Sequence, residues 1–82
     1  MNTISYTIDL FDGQTKTGQS SRIFIKDAIN VLTIGNMHAP LITVLENGVI
    51  QVSKDGVLAF EVPYVEGFLT CRHNHCDIRL LK

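Results

Sequence analysis

Apolar and polar residues alternate along much of the chain, with the period of two that places successive side chains on opposite faces of a β-strand. Near the N-terminus, Ser5, Thr7 and Asp9 separate the four apolar residues Ile4, Tyr6, Ile8 and Leu10. Asp12-Gly13 follows and predicts a turn. The pattern indicates a first strand that turns one face inward.

Two further pairs, Asn47-Gly48 and Asp55-Gly56, lie between strand-like runs. Each predicts a two-residue hairpin turn, because such a turn needs two residues that tolerate a positive φ. The strands joined in this way are residues 41–45, 49–53 and 57–62. Pro63 is expected to end the third strand, because proline has no N–H to donate to a neighbour.

A last hairpin is predicted around residues 72–75, before a strand at residues 76–81. Residues 27–32 could form one helical turn, but no segment has the length or composition of a real helix. Val, Ile and Thr account for 23 of the 82 residues, which is a strand composition. We therefore predict one all-β domain over residues 1–82, built as a two-sheet sandwich or a barrel.

Charge and composition exclude several classes of function. The chain carries 7 basic and 8 acidic residues, so it has no basic field that would attract nucleic acid or an anionic membrane. No apolar run approaches the roughly 20 residues that span a bilayer, and no signal-peptide pattern begins the chain. We expect an intracellular protein without membrane insertion. Its mean hydropathy of +0.18 favours a surface that is buried against a partner.

Catalytic and phosphate-binding motifs are absent from the sequence. It contains no nucleophile elbow, no P-loop and no dinucleotide-binding glycine pattern. The carboxylates are scattered, mostly beside turns, where Asp is favoured for its own hydrogen bonding. We expect a protein that is not an enzyme and that binds no cofactor.

One cluster of chemistry-bearing residues remains, and it lies at the predicted last hairpin. It consists of Cys71, His73, His75 and Cys76. Three interpretations are open: two reduced thiols beside a polar turn, a cross-strand disulfide, or a zinc site. Reduced thiols are favoured, because an intracellular compartment opposes disulfides and the chain has no second pair of zinc ligands. His38, which lies just before Ala39-Pro40, is expected to have a structural role because no catalytic partner is apparent.

The sequence also resembles a known family. His38-Ala39-Pro40-Leu41-Ile42-Thr43, followed by Gly48-Val49-Ile50 and later by Gly67-Phe68-Leu69, is similar to the N-terminal domain of the epsilon subunit of F-type ATP synthase, which is the delta subunit in mitochondria. The order of these segments is kept over essentially the whole chain. The chain departs from the family where it has Asn30, Val31, Thr33, Asn36 and Met37, since the family usually has Gly, Glu, Gly, Pro and Gly there. Glu66 also replaces the first Gly of a Gly-Gly pair.

The resemblance implies a flattened β-sandwich of about ten short strands. It implies a non-catalytic central-stalk subunit that couples the gamma subunit to the c-ring. Family members commonly continue beyond the last strand into a C-terminal helical hairpin that in some cases binds ATP. The sequence stops at Lys82, before such a hairpin, so we expect neither the hairpin nor ATP binding in this chain. The expected location is the cytoplasmic face of a bacterial inner membrane, as a peripheral subunit, or the organellar equivalent.

The same resemblance assigns two sets of partner-binding residues. Those facing the c-ring are Asn30, Val31, Leu32 and Thr33. Those facing gamma are His38, Ala39, Leu41 and Ile42. Two alternatives stay open: a small metal-binding or redox β-domain built on the Cys/His cluster, and a free-standing β-sandwich adaptor.

Overall fold

The computed structural model describes residues 2–82, and all of its regular structure is β-strand. The strands are β1 (Ile4–Asp9), β2 (Thr15–Ser20), β3 (Arg22–Lys26), β4 (Val31–Ile34), β5 (Leu41–Lys54), β6 (Val57–Arg72) and β7 (His75–Leu80). The all-β prediction is thereby confirmed. Over the described part of the chain there is no helix that could cross a membrane.

The seven strands are hydrogen-bonded in one order, β2-β1-β7-β6-β5-β3-β4. All neighbouring strands are antiparallel except β1 and β7, which are parallel. The structure thus has seven strands in one continuous sheet, where the resemblance implied about ten strands in two sheets. The difference arises because β5 has 14 residues and β6 has 16, and both run through stretches that the turn signals divided.

The long β5–β6 hairpin crosses the molecule and changes which of its faces is buried. In β5 the buried side chain Leu45 lies at an odd position, whereas Ile50 and Val52 lie at even positions. In β6 the change goes the other way, since Tyr64 is buried before the change and Leu69 after it. Opposite faces of the hairpin therefore contact the core in its two halves.

The predicted hairpin turn at Asn47-Gly48 is wrong, because these residues lie inside β5. Asn47 does take a positive φ of 53°, but Gly48 does not, and a type I′ turn needs both. Gly48 instead allows a close approach of two strands. A Cβ at this position would overlap the Lys26 carbonyl oxygen and the Asp27 side chain.

The expectation that Pro63 ends a strand is also wrong, because β6 continues through Pro63 to Arg72. Pro63 is paired with Val49 of β5, and β7 is paired only with the later part of β6, from Gly67 onward. Pro63 therefore lies on an exposed edge of the sheet, which is where a strand tolerates proline.

The remaining turn predictions are confirmed. Asp55 and Gly56 take positive φ values of 54° and 79° and join β5 to β6. The last hairpin turns at His73 and Asn74, and β1 has the predicted alternation of buried and half-buried residues. A turn also follows β1 at Asp12-Gly13, where only Gly13 has a positive φ.

A single apolar core joins the strands. Its buried side chains are Ile4, Tyr6, Ile8, Ile23, Ile25, Ile34, Leu45, Ile50, Val52, Val62, Tyr64, Leu69, Cys71, Cys76, Ile78 and Leu80. The end of β2 also contacts β5, since the hydroxyl of Ser20 donates to the Ser53 carbonyl over 2.7 Å. Because of this contact, β2 and β5, which are not neighbours in the strand order, lie around the same core.

Candidate partner-binding surface

The loop between β3 and β4 is built around the carboxylate of Asp27. It accepts hydrogen bonds from the backbone N–H groups of Ile29 (2.9 Å), Asn30 (2.7 Å) and Glu46 (3.1 Å), and from the hydroxyl of Tyr64. Asp residues favour such local bonds to backbone N–H groups in turns. The carboxylate therefore fixes the loop and ties it to both β5 and β6.

These bonds change the acidity of both side chains. Burial raises the pKa of Asp27, but the hydrogen bonds from Tyr64, the backbone and Asn30 outweigh burial and lower it to about 2. Burial and the hydrogen bond to Asp27 together raise the pKa of Tyr64 well above its usual value. Asp27 is consequently a stable anion that holds the loop at neutral pH.

Asn30, the first residue predicted to face the c-ring, completes this arrangement. Its amide Nδ2 donates to the Val44 carbonyl (2.8 Å) and to Asp27, and its Oδ1 accepts from the Thr43 hydroxyl (3.1 Å). The hydrogen bonds of the Asn30 side chain are thus made within the protein. It positions the loop and does not offer a free polar group to a partner.

The other residues predicted to face the c-ring differ in exposure along β4. Val31 is 72% exposed and Thr33 is exposed, whereas Leu32 packs against the core. Ile29, which precedes them, is 59% exposed. Ile29 and Val31 together form an exposed apolar tip, which we call the β3–β4 tip.

The residues predicted to face gamma lie on the segment between β4 and the start of β5. His38 is half-buried, with its Nδ1 2.7 Å from the Ala39 carbonyl, and its backbone N–H donates to Gly35. Leu41 packs against the core, but Ile42 is 81% exposed. Together with neighbouring residues, Leu41 and Ile42 line an open groove of 430 Å³.

Ile42 belongs to a larger apolar patch on the outward side of β5 and β6. Ile42 is directly opposite Thr70, and Val44 is directly opposite Phe68. Val44 is 50% exposed and Phe68 is 51% exposed. We call Ile42, Val44 and Phe68 the outer apolar patch.

The sequence analysis missed Val44 and Phe68. A signal for Val44 was present, because the run Leu41-Ile42-Thr43-Val44-Leu45 is apolar on both faces of a strand, which is typical of a strand covered on both sides. Charged residues border the patch on β7, since Arg79 lies opposite Phe68 and Asp77 lies opposite Thr70. The outward face therefore offers an apolar region with a charged margin.

The Cys/His cluster is not assembled as a metal site. Cys71 and Cys76 are directly opposite on β6 and β7 and are joined by a disulfide, so the favoured interpretation as two reduced thiols is wrong. The cause is register, because the predicted hairpin places the two sulfurs side by side on the buried face. His75 lies on the other face, where it hydrogen-bonds with Ser5 and Thr7.

His73 is one of the two turn residues and is exposed. No group of three or more His, Cys, Asp or Glu side chains within residues 2–82 could hold a metal ion. Among the described residues, the four members of the Cys/His cluster are therefore not brought together as a set of metal ligands.

Comparison with known structures adds one further finding. The chain is similar to a chain in the cryo-EM structure of the central stalk and c-ring of the Tetrahymena thermophila mitochondrial ATP synthase, with a TM-score of 0.75 at 18% sequence identity. The match covers 95% of this chain and 63% of that one, so the chain spans less than two thirds of the length of its structural neighbour. No protein-family profile and no curated protein matches the sequence. At this identity the two chains share a fold.

Proposed function

We propose that the chain is a non-catalytic central-stalk subunit of an F-type ATP synthase, where it joins the gamma subunit to the c-ring. The observation that carries the proposal is the likeness, over 95% of the chain, to a chain in the structure of the central stalk and c-ring of a mitochondrial ATP synthase. The motif His38-Ala39-Pro40-Leu41-Ile42-Thr43 supports it independently, because it was identified from the sequence alone.

We assign the binding of gamma to the segment with His38 and Ala39 and to the outer apolar patch that adjoins it. Ile42 at 81% exposure is the most exposed large apolar residue of this region. Fully burying an exposed side chain of this kind contributes roughly 1.5–3 kcal/mol. Ile42 approaches this range, whereas Val44 and Phe68 are already half-buried and contribute less. Leu41 supports the patch from the core side.

The c-ring is assigned to the β3–β4 tip and to Thr33, which lies next to it on β4. Val31 stands where the resembling family usually has an acidic residue, and its exposure makes this tip apolar. Asn30 and Leu32 hold the tip in place from within the protein, so their contribution to the c-ring contact is indirect.

A stalk subunit must transmit force between two partners without deforming. The β3–β4 tip is tied to β5 by Asn30 and to β6 through Asp27 and Tyr64. Close packing of the shared core makes such a body poorly compressible. The proposed work is therefore mechanical, and it takes place at the membrane as part of a peripheral complex, either bacterial or organellar.

The test is an affinity pull-down of the tagged full chain from membranes of its host, followed by mass spectrometry. We expect gamma to be recovered together with alpha, beta and c subunits. The recovery should be unaffected by a metal chelator, since the proposed interfaces use no metal.

Two outcomes of this experiment contradict the proposal. One is the recovery of other proteins without any ATP synthase subunit, which would favour the free-standing adaptor. The other is the loss of folding or binding on chelation, which would favour a metal-dependent domain.

A further inference from the structure

β4 lies at one end of the strand order, and within residues 2–82 it is paired only with β3. Just before β4, the Asp27 N–H donates to the Asn30 carbonyl over 2.9 Å, so these two residues form a hydrogen-bonded pair. Hydrogen-bonded and non-hydrogen-bonded pairs alternate in an antiparallel ladder, so Val31 and Thr33 belong to non-hydrogen-bonded pairs with β3. The backbone N–H and C=O groups of Val31 and Thr33 therefore point away from β3, toward the open edge.

These outward backbone groups are accessible. Val31 is 72% exposed and Thr33 is also exposed. In the described part of the chain, no loop backbone and no side chain hydrogen-bonds to them. A row of unpaired backbone groups at the edge of a sheet is a template for a further strand. The edge of β4 is therefore suited to an extended backbone that runs alongside it.

β4 also lacks the residues that usually block such pairing. Natural edge strands are protected by charged side chains, especially lysine, or by proline. The four residues of β4 are Val-Leu-Thr-Ile, which include neither. β2, at the other end of the strand order, carries Lys16, and the open edge of β6 carries Pro63. β4 is thus the least protected of these three edges.

A second copy of β4 is complementary to this edge when the two strands run antiparallel about Leu32. Val31 of each copy then lies opposite Thr33 of the other, and each of these pairs exchanges two N–H···O=C bonds, so every outward group of the two residues is used. The two Leu32 side chains meet in the central pair, on the face where Leu32 already packs against the core. On the outer face Val31 lies beside Thr33, and no charges are opposed.

This arrangement also limits the size of the assembly. A joint between β4 of one copy and β2 of the next would leave a free edge at each end and would continue into a filament. A joint between β4 and β4 uses the same edge of both copies, so it closes with two-fold symmetry. The self-complementary register therefore favours a dimer.

We propose that the free chain forms a two-fold dimer through β4, with Leu32 at the centre of the antiparallel pair. One consequence rests on the proposed function. Val31 and Thr33 are also assigned to the c-ring contact, so strand pairing and c-ring binding exclude each other. The dimer is then a form of the unassembled chain, in which the open edge is covered until the c-ring replaces the second copy.

The experiment combines sedimentation velocity with backbone amide hydrogen exchange by NMR, both on the full chain at a low and a high protein concentration. At high concentration we expect a species of twice the 9.1 kDa mass of one chain. The Val31 and Thr33 amides should exchange at least tenfold more slowly at high concentration, because pairing engages them. The Leu32 amide, which points toward β3, and the Thr17 amide of β2 should change little.

A proline variant tests the edge directly. Thr33→Pro removes an N–H that points outward, so it costs no hydrogen bond to β3. By symmetry it leaves the Val31 carbonyl of each copy without a donor, so the dissociation constant of the dimer should rise at least tenfold.

Thr17→Pro is the matched control. The Leu10 N–H donates to the Gln14 carbonyl over 2.8 Å, and by the same alternation the Thr17 N–H points outward at the edge of β2. Thr17 is exposed like Thr33. Thr17→Pro should therefore dimerise like the wild type.

A chain that sediments as a monomer at both concentrations would overturn the proposal. A dimer in which the Val31 and Thr33 amides exchange as fast as in the monomer would overturn it as well, and this test does not depend on the folding of any variant. A dimer with the expected amide pattern, in a chain that recovers no ATP synthase subunit from membranes, would support the pairing and contradict the proposed function.

Discussion

A single carboxylate, Asp27, organises more of the proposed interface than any exposed residue does. It accepts hydrogen bonds from the loop that carries the β3–β4 tip, from Glu46 of β5 and from Tyr64 of β6. Such a group is costly to disturb, because the hydroxyl of the buried Tyr64 and the part-buried N–H of Asn30 would be left without this acceptor. Its role was not apparent from the sequence, where Asp27 looked like one more acidic residue beside a turn.

The lowered pKa of Asp27 predicts an acid-dependent loss of stability. The pKa is about 2 in the folded protein and is expected near 3.8 when the chain is unfolded, so the stabilisation is complete above about pH 4. As the pH falls from about 4 to about 2, up to about 2 kcal/mol should be lost, because protonation is then easier in the unfolded chain. Urea unfolding between pH 2 and pH 6 measures this change.

The variant Asp27→Asn should be less stable than the wild type at neutral pH and should lose this component of the acid dependence. Asp12→Asn, at an exposed turn, is the matched control and should behave like the wild type. An Asp27→Asn variant with an unchanged pH profile would contradict the role assigned to the carboxylate.

Gly48→Ala should destabilise the protein, because a Cβ there meets the Lys26 carbonyl and the Asp27 side chain, neither of which can move freely. Forcing an extra carbon into such a contact typically costs about 1–3 kcal/mol. Gly35→Ala is the control, since a Cβ there has no neighbour within 4 Å. Equal unfolding midpoints of the two variants in urea would show that the close approach is not tight.

At the scale of elements, the strand period and the turn residues predicted much of the fold, and particular residues show why the rest was missed. Asp55-Gly56 and β1 behave as their local sequence indicates. Asn47-Gly48 does not form a hairpin turn. Its glycine is needed because Lys26 and Asp27 lie too close to leave room for a Cβ, and the local sequence gives no sign of such a tertiary contact. Pro63 marks an edge of the sheet and not an end of a strand, which only the pairing partners could reveal.

The surface residues follow the same division. Val31 and Ile42 were predicted to contact partners and are exposed. Asn30 and Leu32 were predicted to do the same, but Asn30 is hydrogen-bonded within the protein and Leu32 packs against the core. Phe68 was missed, since one apolar residue in an alternating strand does not show which face will be covered. The disulfide was one of the interpretations of Cys71 and Cys76 but was not favoured, because an intracellular compartment opposes disulfides. The hairpin register, which places the two cysteines directly opposite each other, was given less weight.

Ile42→Asp should weaken binding to gamma at least tenfold, because it places a charge in a desolvated interface while leaving the core untouched. Leu41→Asp would be less informative, since Leu41 also packs against the core. Thr17→Asp is the control, because Thr17 is exposed in the same cross-strand row of the sheet but four strands away. Biolayer interferometry with purified gamma compares the wild type, Ile42→Asp and Thr17→Asp. Equal losses for Ile42→Asp and Thr17→Asp would argue against the outer apolar patch as the binding site.

At the scale of the whole molecule, the two assigned surfaces lie on one body and share internal connections. The β3–β4 tip is tied through Asn30 to Thr43 and Val44, next to the outer apolar patch. A force applied at the tip therefore passes into β5 through hydrogen bonds and into the rest of the sheet through the core. This continuity is what a connection between a ring and a shaft requires.

The most direct test of the central claim is site-specific photo-crosslinking in the assembled complex. A photoreactive amino acid is placed at Val31, at Ile42 or, as a control, at Thr17, and the products are identified by mass spectrometry. We predict that position 31 cross-links to subunit c, that position 42 cross-links to gamma, and that position 17 gives neither product in comparable yield. Products from positions 31 and 42 that contain no ATP synthase subunit would contradict the assignment of this chain to the rotor.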